Sequence, residues 1–201
     1  MRRTAPEMEI TAMKTKLQRG FTMIELIVVI VILGILASVA LPRFTNMQRD
    51  ARIAKLNSAR GAVAAAAAMV HGAALARQGQ AQPACPAGGT PATVNAATGN
   101  GQICTENGIA RVTALYPAAN ATLTAPNGGI LAVAGLVPAG GNLATENYQT
   151  VGGGNGTGAV LTVRVLGGSD PTQCFFTYTA PAAVNAAPVI SQITAATTAG
   201  C

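Results

Sequence analysis

Residues 21–41 read FTMIELIVVIVILGILASVAL, an apolar run whose one charge is Glu25. As a helix rising 1.5 Å per residue it reaches about 31 Å, the thickness of a bilayer's hydrocarbon core. Lys14, Lys16 and Arg19 lie just before it, and Arg43, Arg49, Arg52, Lys55 and Arg60 follow it. The positive-inside rule then keeps residues 1–20 in the cytoplasm and exports the remainder. Three readings of the run compete. It is a secretory signal cleaved near the small residues Ser38 and Ala40, a plain single-span anchor, or a retained segment that uses Glu25. An unpaired carboxylate in hydrocarbon costs at least ~2.5–3.5 kcal/mol on insertion scales, so a Glu here points to a function.

The rest of the composition narrows the classes. Of 201 residues, 10% are charged and 3% aromatic, while half count as hydrophobic and much of that half is alanine. Such a chain has little with which to pack a large enzyme core. The net charge of +6 resembles a nucleic-acid signal only until it is mapped. Beyond Arg77 only Arg111 and Arg164 remain, against Glu106, Glu146 and Asp170, so no basic stripe and no nucleic-acid partner is expected. His71 has no Cys, Asp or second His at ligand spacing, and the carboxylates are scattered. We therefore expect no catalytic residues, no metal site and no cofactor; the chain is not read as an enzyme.

Read from the membrane outward, residues 43–78 form an amphipathic spine helix. Ile53, Leu56, Val63, Ala66, Ala67, Val70 and Ala74 recur at three- and four-residue steps. The run Ala64–Ala68 is a strong helix former of minimal bulk, which permits a sheet to approach closely. Gly79 and Pro83 end the helix. Residues 79–110 read as a Gly/Pro/Ala/Asn-rich loop holding Cys85 and Cys104, followed by a β region over 111–201. Strands are expected at 111–116, 159–166 and 173–179, with a plausible fourth at 189–194; residues 130–137 fit a short helix or a strand equally. The fold class is α+β.

The segment Gly20-Phe21-Thr22-Met23-Ile24-Glu25-Leu26, after the basic stretch MKTKLQR, resembles the class III signal of type IV pilins and pseudopilins. The resemblance implies a long N-terminal helix packed on a small antiparallel sheet, with cleavage by prepilin peptidase between Gly20 and Phe21. It also implies N-methylation of Phe21 and retention of the apolar run. Residues 1–20 are then a cytoplasmic leader that is removed, and 21–42 a transmembrane and filament-core helix. Met13 begins a leader of the familiar length, so residues 1–12 are an extended leader or follow an upstream start. Cleavage creates an amine one helical turn from Glu25, and in a dry bundle Glu25 of one subunit meets the Phe21 amine of a neighbour. Such a pair adds little net stability but penalises misalignment, which makes it a register device. Gly34 and Pro42 stand where the family weakens its helix.

The similarity narrows toward the mannose-sensitive haemagglutinin (MSHA) pilins. It rests on the spine LPRFTNMQRDARIAKLNSARGAVAAAAAMVHGAALA, on Tyr116-Pro117, on the TYT of residues 177–179 and on Gly200-Cys201. The Cys85/Cys104 pair and the long 79–110 loop depart from that group. Four cysteines in an exported chain allow three connectivities. We expect Cys85–Cys104 and Cys174–Cys201, each closing a loop of about 20–28 residues worth ~3 kcal/mol in the chain-entropy model. The second resembles the C-terminal disulfide loop of type IV pilins. The function so implied is a structural subunit that polymerises into an MSHA-like type IV pilus for surface attachment. The alternative is a major pseudopilin of a type II secretion system, and a DNA-uptake pilin ranks below both. The implied partners are the subunit itself in a helical homopolymer, the prepilin peptidase/methylase and an inner-membrane assembly platform. The precursor would cross the inner membrane once; the mature form would lie in the extracellular filament, or in the periplasm for a pseudopilin.

Overall fold

The computed structural model describes residues 21–124, 127–137 and 141–201. The chain divides into two compact units, residues 1–44 and residues 45–201. Helix α1, Met23–Ala76, is continuous in sequence across that division and contains Pro42. Its end falls two residues before the position read from the sequence, and Gly79, with φ +74°, turns the chain back.

In the second unit, period decides what α1 buries. Leu56, Ala59, Val63, Ala66, Ala67, Val70 and Ala74 are buried, at steps of three and four that keep them on one face. Ile53, expected on that face, is half-buried at its margin, and Ala59 joins it. Among the described residues the strands form two antiparallel sheets, β1-β2-β3 and β4-β5-β6-β7. The first comprises β1 Gly101–Thr105, β2 Gly108–Thr113 and β3 Tyr116–Pro117; the second comprises β4 Tyr148–Gly152, β5 Val160–Val165, β6 Phe175–Thr179 and β7 Val189–Ile190. A one-turn helix, α2 Ile130–Val133, lies between them in sequence.

Each sheet closes over a different part of the spine. Leu161, Val163 and Val165 of β5 and Phe176 and Tyr178 of β6 alternate inward and join Leu56–Ala67 in the larger core. Ile103, Val112 and Leu115 join Val70, Ala74 and Val94 in the smaller one. A buried Leu or Val contributes about 1.5–3 kcal/mol relative to exposure. The alanines between them contribute proximity more than area.

The region read as a loop over 79–110 is corrected by the structure, because β1 and the first half of β2 lie within it. Its only large apolar residue in β1 is Ile103, too little to produce a visible alternation; the strand is held by its register, Gln102 opposite Arg111 and Ile103 opposite Ala110. The expected strand 111–116 is likewise broken at Ala114 and Leu115, both at positive φ (49° and 69°). That pair makes the two-residue hairpin turn which usually calls for Asn-Gly. Here Asn100 Oδ1 accepts the Ala114 N–H at 3.0 Å, Gly99 O accepts the Leu115 N–H at 2.9 Å, and burial of the Leu115 side chain offsets the left-handed strain. Residues 189–194 supply only the two-residue β7, and 130–137 resolve to α2. Strand β4 has no counterpart in the sequence reading.

One buried hydrogen bond joins the sheets: the Tyr178 hydroxyl on β6 donates to the Pro117 carbonyl on β3 at 2.8 Å. Pro117 pairs with Val112 at the sheet edge, and burial raises the Tyr178 pKa, so the phenol stays a donor. Tyr178→Phe leaves that carbonyl unsatisfied and should cost about 1–3 kcal/mol. Thermal or denaturant unfolding of the variant checks this, and an unchanged midpoint would contradict it.

Candidate functional site

Within the first unit, residues 21–41 present an exposed apolar surface. Phe21, Met23, Ile24, Leu26 and the large aliphatic residues through Leu41 are exposed, Phe21 at 88%. The helix is long and apolar enough to cross a membrane. Gly20, the residue expected before the cleavage point, lies outside the described residues. Phe21 and Thr22 precede the first turn, and Glu25 sits in it.

A local signal at this end went unread in the sequence. Thr22-Met23-Ile24-Glu25 is the S/T-x-x-E pattern of a helix N-terminus. In the structure the Glu25 N–H donates to Thr22 Oγ1 at 3.3 Å, which satisfies one of the donors that every helix start leaves open. Glu25 therefore has a second physical use, since a carboxylate in the first turn opposes the positive end of the helix dipole. Further along, α1 runs through both Gly34 and Pro42. A Cβ added at Gly34 would meet nothing within 4 Å, so the chain's own packing does not demand glycine there.

The second unit places the spine cations, which the sequence pattern assigns to faces away from the core. They reach backbone carbonyls of the C-terminal third. Arg49 Nη2 donates to Thr198 O at 3.2 Å and Arg60 Nε to Ser191 O at 2.8 Å. Arg52 Nε donates to the Cys201 oxygen, and Lys55 Nζ to Glu146 O while lying 4.4 Å over the Tyr148 ring. A guanidinium on a carbonyl is a charge-assisted bond, stronger than a neutral one. The cations hold the tail segment 191–201 along the helix.

The same tail is closed from the other side. Cys174 is bonded to Cys201, and Cys85 to Cys104; the described residues hold no free cysteine. Gly200 passes so close to the Asp170 carbonyl that a Cβ there would collide with it, which requires glycine at this crossing. Asp170 N–H donates to Gly200 O at 3.2 Å, and Gly200 N–H to Gln173 O at 3.1 Å. Asp170 also caps the short 3-10 turn Pro171–Gln173. Its carboxylate accepts from the Thr172 N–H and hydroxyl and from Gln173 Nε2.

His71 is half-buried and stacked on Tyr116, with ring centroids 4.0 Å apart and planes 5° apart. Its Nδ1 lies 3.2 Å from Leu115 O. Among the described residues no three His, Cys, Asp or Glu side chains group as a metal site would need.

The apolar helix and the clasped head behind it match known sequences at one end. Residues 15–41 match the family model described as the prokaryotic N-terminal methylation motif. The chain carries a prokaryotic N-terminal methylation motif. The chain is 45% identical over 51 residues to the type IV narrow pilus major component PilA5 of Thermus thermophilus, a match covering 25% of this chain and 44% of that protein. It is 42% identical over 45 residues to the type IV major fimbrial protein FimA of Dichelobacter nodosus, covering 22% of this chain and 29% of FimA. The chain thus spans less than half the length of the curated relatives it matches. No solved structure gives a significant match.

The Asp170 cap makes acid stability testable. The Thr172 hydroxyl first, then the Thr172 N–H, Gln173 and the Arg164 charge hold its carboxyl below the ordinary 3.8. The contribution of a depressed acid is present above the unfolded value and is lost as pH falls through the folded one. Asp170→Asn should therefore lower stability modestly near neutrality and flatten its loss below about pH 3.8, so that the two proteins converge in acid. Melting curves of both proteins across that range check it.

Proposed function

We propose that the chain is a structural pilin subunit, made as a single-pass inner-membrane precursor, cleaved between Gly20 and Phe21 and N-methylated at Phe21. The observation that carries this reading is the methylation-motif match over residues 15–41 on a chain whose apolar segment continues as the spine of a folded head. A conventional signal peptide is discarded and has no reason to be continuous with the core helix. Here Leu56 to Ala74 bury the same helix in the head.

The exposed apolar surface of residues 21–41 needs a partner once the subunit leaves the bilayer, and copies of the same helix supply it. In that bundle the Phe21 amine of one subunit faces Glu25 of a neighbour and sets the axial register, and Gly34 and Pro42 allow the helix to extend locally. The peptidase/methylase and an inner-membrane assembly platform are the processing and assembly partners. We place the mature subunit in an extracellular MSHA-like pilus used for surface attachment. The two disulfides support an oxidising, exposed location.

Mass spectrometry of filaments sheared from cells tests the reading. It should find a chain beginning at methylated Phe21 and lighter by two disulfides' worth of hydrogen. A chain beginning at Leu41 overturns it, and the Phe21 form confined to membranes favours a major pseudopilin instead. Glu25→Ala should leave leader cleavage intact and strongly reduce filament yield. Removing one partner leaves a buried charge unpaired, at about 3–5 kcal/mol per contact. Normal filaments from that variant, counted by shearing and electron microscopy, would remove the register role.

A further inference from the structure

On the face of β1 and β2 turned away from α1, the head carries a recess of about 340 Å³. It is lined by the cross-strand pair Gln102 and Arg111, by Thr113 further along β2, and by Asn100 and Asn155. Arg111 is the only charged side chain lining it among the described residues.

The bonds already made by these side chains set what the recess can still offer. A backbone N–H, which can only donate, holds Asn120 Oδ1 from Thr122 at 3.0 Å. Asn120 therefore turns its Nδ2 to Asn155, whose Oδ1 accepts it. Asn100 Oδ1 is likewise taken by the Ala114 N–H. In both Asn100 and Asn155 the oxygen is engaged, and among the described residues the NH₂ group, a pure donor, is left over. Thr113 donates its hydroxyl proton to Asn155 O at 2.7 Å and keeps acceptor capacity. Arg111 makes one side-chain bond among the described residues, Nη1 to Asn127 Oδ1 at 3.5 Å, the outer limit of a hydrogen bond. A guanidinium and two amide donors thus converge with no carboxylate beside them.

That set suits a planar oxyanion, which a guanidinium grips through two parallel N–H bonds. The volume is roughly eleven times the ~30 Å³ share of one water, more than a bare anion needs and enough for one sugar ring. No aromatic ring lines it, so recognition is by charge and hydrogen bonds rather than by stacking. We propose that this recess binds the carboxylate of an acidic monosaccharide unit of the uronate type, with Arg111 as counter-ion and the Asn100 and Asn155 amides as donors. The inference goes beyond the filament reading and does not depend on it.

The full chain in detergent micelles, titrated with sodium glucuronate, glucose and sodium sulfate at constant ionic strength, tests it by NMR. Glucuronate should shift the Arg111 and Asn155 side-chain signals saturably, and glucose should not. Arg111→Gln should weaken binding about tenfold or more, as loss of a charge-assisted bond requires; Arg164→Gln, on the other sheet, should not. Asn155→Asp is a second variant that keeps the oxygen held by Asn120 and replaces the donor by a negative acceptor. It should abolish binding while leaving the backbone spectrum native. Equal binding of glucose overturns the anionic site, and sulfate binding as tightly as glucuronate overturns the saccharide assignment. No saturable shift overturns the whole proposal. Because the subunits are dispersed, any of these failures leaves the filament reading standing.

Discussion

The head depends on the close approach of two sheets to one small-residue helix face. Ala59, Ala66, Ala67 and Ala74 bring the backbone of α1 near the strands, and Leu56, Val63 and Val70 fill the spaces between them. A chain with 3% aromatic residues cannot build a thick core. It builds a thin one, and thinness makes each buried Val and Leu, and the two full-sized rings of Phe176 and Tyr178, carry more of the total.

A thin core also explains the number of ties around its margin. Arg49, Arg52 and Arg60 donate to carbonyls of the tail, Lys55 to Glu146, and the Cys174–Cys201 bond closes the tail onto β6. The second disulfide joins Cys104 of β1 to Cys85, which stabilises an edge where Ile103 is the strand's one large apolar residue. The cations do two things in this chain. Those near the apolar segment favour its orientation in a membrane, while those on the spine spend their donors inside the head. This leaves Arg111 and Arg164 as the cations of the strands, and of these Arg111 opens to a polar recess.

The same division bears on function. Residues 21–41 are apolar and offer little chemistry beyond a capped helix start and the carboxylate of Glu25. They are suited to packing against copies of themselves or lipid. The second unit presents loops, strands and a recess to solvent, and it leaves the buried Arg164 Nε without a hydrogen-bond partner among the described residues. The filament we propose, with core and surface made by different parts of each subunit, needs this separation.

Much of this was legible in residues 21–41, because a bilayer-length apolar run with one acid is a local fact of the sequence. The spine was legible through its 3.6-residue period, and β5 and β6 through their strict alternation, Leu161-Val163-Val165 and Phe176-Tyr178. Thr22 was legible too, by its three-residue spacing from Glu25, and was missed. Strands β1 and β4 were not, because their hold is register with a neighbour and their own side chains carry almost no pattern. The turn at Ala114-Leu115 contradicts local preference and exists because Asn100, Gly99 and the core beneath Leu115 outweigh it. The tie of Tyr178 to Pro117, the carbonyls taken by the arginines and the donors left at Arg111, Asn100 and Asn155 were decided only by tertiary structure. Each joins residues far apart in sequence, and a hydrogen bond depends on where two atoms meet, which period and composition do not specify.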